Sequence, residues 1–513
     1  MLRRRLAALI PRGAAATAAA AGATCSPGWR VLAAAPQQAA AAGRQWRDCG
    51  GGGVRGMAAG QPVFNTHPEV LGDGELAPGV SASELADRRR RLAALLPPGA
   101  VVVVPAAAQT YVTGVIPYPY RQDADFLYLT GITQQAFMVL RCPSAGEIKA
   151  AHSLPDPKFT LFIPAPNPEK ERWDGVPLRA DAALNVFGAD EVFTTNEMPA
   201  ILRDILRDAA SVYYNPEAYG GKLHREVPAL RDVVVSGTVK PLKPYTHRMR
   251  WVKSPAEIQL MRDSAELSAK AIQKCMQLTK SPQTEQMLAA TFEYQCRLGG
   301  AQRLAYPAVV AGGSDACTIH YIRNDKMLVN GQMVLMDAGC EYWGYASDVS
   351  RTWPVGGRFS AAQREVYEVV LEVHRQCVEQ CRSGKTLRQV HNLSVRLISE
   401  AVASLGLLGD MRAPAVMAGS YRPFYCHSVG HWLGCDTHDT NTVAHDTPLQ
   451  PGVVMTIEPG LYIPNDPKYG RYAGIGVRIE DDILITHDGQ PAEVLSRDVP
   501  IDPDEIERFI QHS

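Results

Sequence analysis

The stretch Gly476-Val477-Arg478-Ile479-Glu480-Asp481-Asp482-Ile483 constrains the chain more than any other. As an extended strand, its two-residue period sends Arg478, Glu480 and Asp482 to one face. Ile475, Val477, Ile479 and Ile483 surround those charges, so they fall near a core. A buried carboxylate needs a partner, and a metal ion is the strongest one available. A surface strand is the alternative for this element taken alone.

Two further apolar strands end in carboxylates. Residues 333–336 run into Asp337, a turn with Gly339 and Gly344 follows, and the chain returns with Asp348. A hairpin of that length brings the two aspartates side by side, although aspartates flanking a turn are also ordinary turn chemistry. Residues 453–457 run into Glu458 and a Pro459-Gly460 break. Before them comes His427-Ser428-Val429-Gly430-His431-Trp432-Leu433-Gly434, followed by His438-Asp439. Imidazole is both a common metal ligand and a proton shuttle, and glycine lets backbone approach a ligand. Any one of these histidines alone reads equally as structural. Asp337, Asp348, Glu458 and Glu480 with His431 form a hard, oxygen-rich set that two divalent ions would balance. Such a set favours manganese, magnesium or a similar ion over thiolate-type zinc. Paired ions bring the pKa of a water toward ~7, which is hydrolytic machinery.

At 513 residues the chain exceeds one ordinary core. A first half, residues 57–245, alternates helices and strands and predicts an α/β sandwich. Its expected elements are a helix over 83–96 and strands at 101–104, 126–129, Phe137–Arg141 and 159–163. The run Arg88 to Arg91 reads as a solvated helix face. Prolines in residues 239–245 mark a boundary, and residues 246–513 mix helices with antiparallel hairpins. Ser254 with Glu257, Ser360 with Gln363 and Thr386 with Gln389 are capping boxes that start three helices. Cys377 and Cys381 share one helix face and read as core. An odd count of eleven cysteines suggests reduced thiols.

Residues 1–56 differ from the rest. Arg3, Arg4, Arg5, Arg12, Arg30, Arg44 and Arg47 are scattered among alanine and glycine, with no acidic residue before Asp48. That pattern fits a mitochondrial transit peptide, with a low-complexity tail as the alternative. Initiation at Met57 would give a leaderless cytosolic form. A net charge of -1 gives no reason to expect nucleic acid or an anionic membrane as partner. No run approaches the ~20 apolar residues that span a bilayer.

In this order, the motifs resemble the pita-bread metallopeptidases, and among them the X-Pro aminopeptidases (aminopeptidase P), with the mitochondrial branch nearest. Tyr118-Pro119-Tyr120-Arg121-Gln122-Asp123-Ala124-Asp125-Phe126 and its continuation to Gly131 are similar to that family's N-terminal domain signature. The resemblance implies an α+β fold: a pita-bread catalytic domain preceded by an α/β N-terminal domain. It implies Asp337, Asp348, His431, Glu458 and Glu480 as ligands of two divalent ions, expected to be Mn(2+). Asp348 and Glu480 would be shared, with Asp337 on one ion and His431 and Glu458 on the other. His320, His427 and His438 would be the active-site histidines, with Glu458 carrying a proton. Arg478 would fix Glu480 or the peptide backbone, and Tyr306 would contact substrate. The implied activity is release of the first residue from peptides with proline second, by a homodimer. A prolidase restricted to X-Pro dipeptides and a non-catalytic pita-bread binding protein are the rivals. Methionine aminopeptidases need no large first domain, and creatinase has this fold without metals.

Overall fold

The structure is a computed structural model that describes residues 58–151, 155–487 and 489–512. The arginine-rich leader and Met57 lie outside the described residues.

The first half is built on a mixed six-stranded sheet. Its order is Val239–Lys240, Ser211–Tyr213, Ala100–Pro105, Phe137–Arg141, Lys158–Ile163, Glu191–Thr194. The valine run is the middle of this sheet and is buried throughout, as a strand covered on both faces must be. Val239–Lys240 still pairs with Ser211–Tyr213, so the proline-rich segment ends the sheet before the helix Lys243–Trp251 carries the chain onward.

Two expectations fail here. Residues 126–129 are not a strand; they lie in the helix Ala124–Thr130. The Asp123 carboxylate accepts from the Phe126 N–H at 2.9 Å, and Gly131 ends the helix in the left-handed region at φ 69°. Burial on nearly every side hides the helical period from the sequence. The basic run is a solvated face only at Arg90 and Arg91. Arg88 and Arg89, on the helix Ala82–Ala94, are buried, and their guanidinium groups stack on Tyr128 and Phe159. Both donate to carbonyls at the end of the helix Ala124–Thr130, Arg88 to Tyr128 and Arg89 to Leu129. A cation can be buried this way because its donors meet acceptors and the ring faces supply the rest.

In the second half, Met333–Ala338 pairs antiparallel with both Val309–Gly312 and Val349–Pro354. Val454–Ile457 pairs with Asp481–Leu484, and Gly460–Tyr462 with Gly476–Arg478. The long strand expected over 476–483 is therefore two short ones in different sheets, broken at Ile479 and Glu480. The break turns Glu480 out of either ladder and aims it at the Val349–Pro354 strand, where its N–H donates to the Ser350 carbonyl at 3.0 Å. Four helices, Pro255–Leu278, Glu285–Leu298, Ala361–Gln380 and Leu387–Ser404, pack their apolar faces on these sheets. Cys377 and Cys381 are in that core, and the described cysteines are free thiols.

All three capping boxes form. At Ser254 the hydroxyl also donates to Glu84 of the first half at 2.8 Å. Ser254→Ala is expected to cost about 1 kcal/mol in urea unfolding, the usual worth of an N-cap. Unchanged stability would mean that the cap is dispensable to the helix Pro255–Leu278.

Candidate metal centre

The strand ends converge. Asp337 leaves the Met333–Ala338 strand opposite Ser350, and Asp348 precedes the neighbouring strand. Ligand atoms of Asp348, His431 and Glu480 all lie within 4.8 Å of one another. His431 Nε2 is 3.3 Å from Asp348 Oδ2 and 3.9 Å from Glu458 Oε1. Asp337 joins through Tyr306, whose hydroxyl is 2.6 Å from Asp337 Oδ1 and 2.5 Å from Asp348 Oδ1. The five residues therefore share one site.

The backbone sets these positions by close approach. A Cβ on Gly430 would meet the Thr456 carbonyl oxygen at 2.0 Å, so only glycine lets the histidine segment lie against the strand that leads to Glu458. The Thr456 N–H donates to the His431 carbonyl and the Glu458 N–H to the Val429 carbonyl. His431 Nδ1 donates to the Trp432 carbonyl at 3.1 Å, which orients Nε2 toward the carboxylates.

The electrostatics mark a site short of positive charge. Glu480 is held well above the carboxylate range, first by burial and then by Asp348, Glu458 and Asp337. Asp337 is raised by burial against the pull of Arg478, and Glu458 is raised to about 7 by burial against His431 and Arg478. Burial lowers the pKa of His431, but its hydrogen bond to Asp348 and the charges of Asp348 and Glu458 outweigh that and lift it to about 9. Carboxylates crowded and desolvated in this way, with an imidazole nitrogen among them, have the donor chemistry of a divalent-cation site.

The remaining predicted residues differ in placement. His427 is half-buried; its Nδ1 donates to the Ser428 carbonyl and its Nε2 accepts from the Tyr462 hydroxyl at 2.8 Å. Desolvation and then the charge of Arg478 lower it to about 4, so it is neutral at pH 7. His438 packs beside His431 with ring centroids 4.2 Å apart and planes tilted by 55°. His320 is exposed, and its charge is felt at both His427 and His438. Arg478 does not hold Glu480. Its Nη2 donates to Asp337 Oδ2 at 2.5 Å, Nη1 to the Tyr462 hydroxyl and Nε to Ser350 Oγ. Glu480 is held instead by the Ser350 hydroxyl at 2.7 Å, while Arg351 Nη1 donates to its backbone carbonyl. The Tyr306 hydroxyl is engaged by Asp337 and Asp348, so its first contact is with the carboxylates. Tyr462 lies outside the expected set. It closes the relay Arg478–Tyr462–His427, and nothing in its local sequence distinguishes it from a core tyrosine.

Residues 259–487 match metallopeptidase family M24, and residues 85–213 match the aminopeptidase P N-terminal domain. Mitochondrial intermediate cleaving peptidase 55 of Arabidopsis thaliana is 39% identical over 456 residues, which cover 88% of each chain. The chain belongs to metallopeptidase family M24. Human Xaa-Pro aminopeptidase 3 is 38% identical over 466 residues, 88% of this chain and 90% of that one. Among solved structures, Yersinia pestis proline aminopeptidase P II superposes with a TM-score of 0.77 at 32% identity, over 85% of this chain and all of its own. Pseudomonas aeruginosa aminopeptidase PepP gives 0.76 at 35% identity, over 84% and 98%. The fold of this M24 chain is that of aminopeptidase P, a mixed α and β architecture with the pita-bread domain second.

Proposed function

We propose that this M24 peptidase releases the N-terminal residue from peptides with proline in second position. The observation that carries the reading is the convergence of Asp337, Asp348, His431, Glu458 and Glu480 behind an aminopeptidase P N-terminal domain. These five would hold two divalent ions, and the oxygen-rich donor set favours Mn(2+). Bound there, the ions supply a water whose pKa falls toward ~7 and polarise the scissile carbonyl.

The chain's own groups do the rest. Arg478 and Tyr306 fix the orientation of Asp337, and Ser350 fixes Glu480. The free α-amine of the substrate docks beside Asp337, which confines cleavage to the first bond. His438 and His320 line the side from which a carbonyl oxygen would be stabilised. Glu458 takes a proton from the attacking water and hands it to the leaving proline nitrogen. That nitrogen carries no N–H, so the site has to accept a ring where other peptidases bind a donor.

Three peptides test the reading: an Ala-Pro-extended peptide, an X-Pro dipeptide and an extended peptide without proline. Cleavage of the first alone at its N-terminal bond is expected. Cleavage of the dipeptide alone would make the enzyme a prolidase.

Metal loading has a pH signature. Glu458 moves from 4.5 to about 7 on folding without metal, and Asp337 and Glu480 move the same way. The folded metal-free protein then binds more protons on these groups than the unfolded chain does between those values. His427, lowered to about 4, works in the opposite sense, as do His247, His391, His438 and His445, but none of these is among the five proposed ligands. The stabilising contribution of the three carboxylates in the metal-free protein is therefore expected to fall as pH rises from about 4.5 to about 7. The stability gap between Mn(2+)-loaded and metal-free protein should widen over the same window, as thermal melts would show. A constant gap would remove these carboxylates from the ligand set.

We further propose three domains: a leader over 1–56, the N-terminal domain over 57–245 and the catalytic domain over 246–513. The acid-free, arginine-bearing start and the mitochondrial relative support mitochondrial targeting, with a cytosolic form from Met57. A homodimer is supported by the apolar hairpin Tyr111–Thr113 with Ile116–Pro117, where Val115 is 81% exposed. Light scattering of the purified chain tests it.

A further inference from the structure

The segment from Tyr118 to Phe126 takes no part in the chemistry above, yet two of its charged residues reach the catalytic half. Arg121 Nε donates to Glu341 Oε2 at 2.6 Å. Its Nη2 donates to the Cys435 carbonyl at 2.7 Å and to Asp436 Oδ1 at 2.9 Å. Asp125 accepts from Arg250 Nη1 at 2.7 Å and from the Thr246 hydroxyl at 2.9 Å. Arg250, almost wholly buried, extends Nη2 to Asp436 Oδ2 at 3.0 Å and to Asp439. Arg303 caps the other oxygen of Glu341, and Lys253 Nζ stands 3.7 Å from Asp439 Oδ2. Four cations thus face four carboxylates in one continuous, charge-balanced network.

The network grips the loop that carries His438. Asp436 and Asp439 bracket that histidine, and both are held through their carboxylates by residues outside the loop. The loop is also tied to itself, Asp439 N–H to the Trp432 carbonyl at 2.9 Å and Gly434 N–H to the Asp436 carbonyl at 3.1 Å. A Cβ on Gly434 would meet Asp439 Oδ2 at 2.4 Å, so the closure tolerates no side chain there. The Trp432 carbonyl that closes the loop also accepts from His431 Nδ1, and the His431 ring packs against that of His438 at a tilt of 55°. The loop and the histidine ligand are thereby oriented through one shared carbonyl.

We propose that Arg121, with Asp125 acting through Arg250, is a positioning residue for His438, so that the first half of the chain is a working part of the catalytic site. The inference rests on the role given to His438 above. Arginine suits the task because one planar group donates to Glu341 on one side and to the loop on the other. Arg121 and Asp436 are the accessible members, with side chains 39% and 38% exposed, and changing Arg121 leaves every contact of the buried Arg250 in place.

The test is a double-mutant cycle in the Mn(2+)-loaded full chain on an Ala-Pro-extended peptide. Arg121→Ala and Asp436→Asn are each expected to lower kcat roughly ten- to a hundred-fold, the scale of a misplaced catalytic group, with bound metal unchanged. In a His438→Ala background both should become nearly silent, because a residue that acts through His438 has nothing left to position. Equal losses with and without His438 would overturn the proposal in favour of a merely structural role. So would full turnover of both single variants beside an impaired His438→Ala. Unchanged turnover of His438→Ala would instead overturn the role assigned to His438 itself. Should Arg121→Ala fail to fold, the near-isosteric Asp436→Asn carries the same cycle alone.

Discussion

Asp348→Ala is expected to cost the protein its metal and its turnover together. Asp348 lies 3.3 Å from His431 Nε2, accepts from Tyr306 and shares the 4.8 Å cluster with His431 and Glu480. Its oxygen is closer to His431 Nε2 than that of Glu458, at 3.9 Å. Turnover of an Ala-Pro-extended peptide should fall by more than about a thousandfold, since one preorganised donor alone is worth roughly 10²–10³. Metal analysis of the same preparation should show the ions depleted. Surviving turnover at normal rates would remove Asp348 from the site.

Gly339→Ala is the second large effect, and it acts on the backbone that brings Asp337 and Asp348 together. A Cβ at Gly339 would lie 1.8 Å from the Ser347 carbonyl oxygen and 3.3 Å from the Asp348 nitrogen. Both obstacles are main chain, so no rotamer change relieves them. A loss of about 3 kcal/mol or more is expected in urea unfolding, the upper end for overpacking. Activity should fall as well, because the two aspartates part. Gly146→Ala is the internal comparison: its Cβ would meet only Ser144 Oγ, at 3.8 Å, and stability should stay within about 0.5 kcal/mol. Wild-type stability and activity in Gly339→Ala would show that the strands are not so closely apposed.

The proposed ligand set stands out in the sequence because carboxylates end apolar runs, and a charge there is costly without a partner. Strand ends and capping boxes are local signals, and they suffice for Asp337, Glu458 and the starts of three helices. Other features depend on distant partners. Arg88 and Arg89 look like solvent-facing residues until Tyr128 and Phe159 cover them. The helix at Ala124–Thr130 is buried nearly all round and shows no helical period, although Asp123 and Gly131 are usable end signals. The break at Ile479 and Glu480 follows from pairing with two different strands, Gly460–Tyr462 and Val454–Ile457, a choice made in three dimensions. For the same reason proximity in sequence points Arg478 to Glu480, when its partner is Asp337 across the sheet.

The candidate metal centre joins residues far apart in the second half: Glu480 enters only after the Gly476–Arg478 strand, well beyond Asp337. A growing chain still on the ribosome has no complete set of these carboxylates until that strand has emerged and paired. On the proposed ligand set, a copy that stalls or is clipped before Glu480 is expected to stay inert, so that unfinished product trims no peptides.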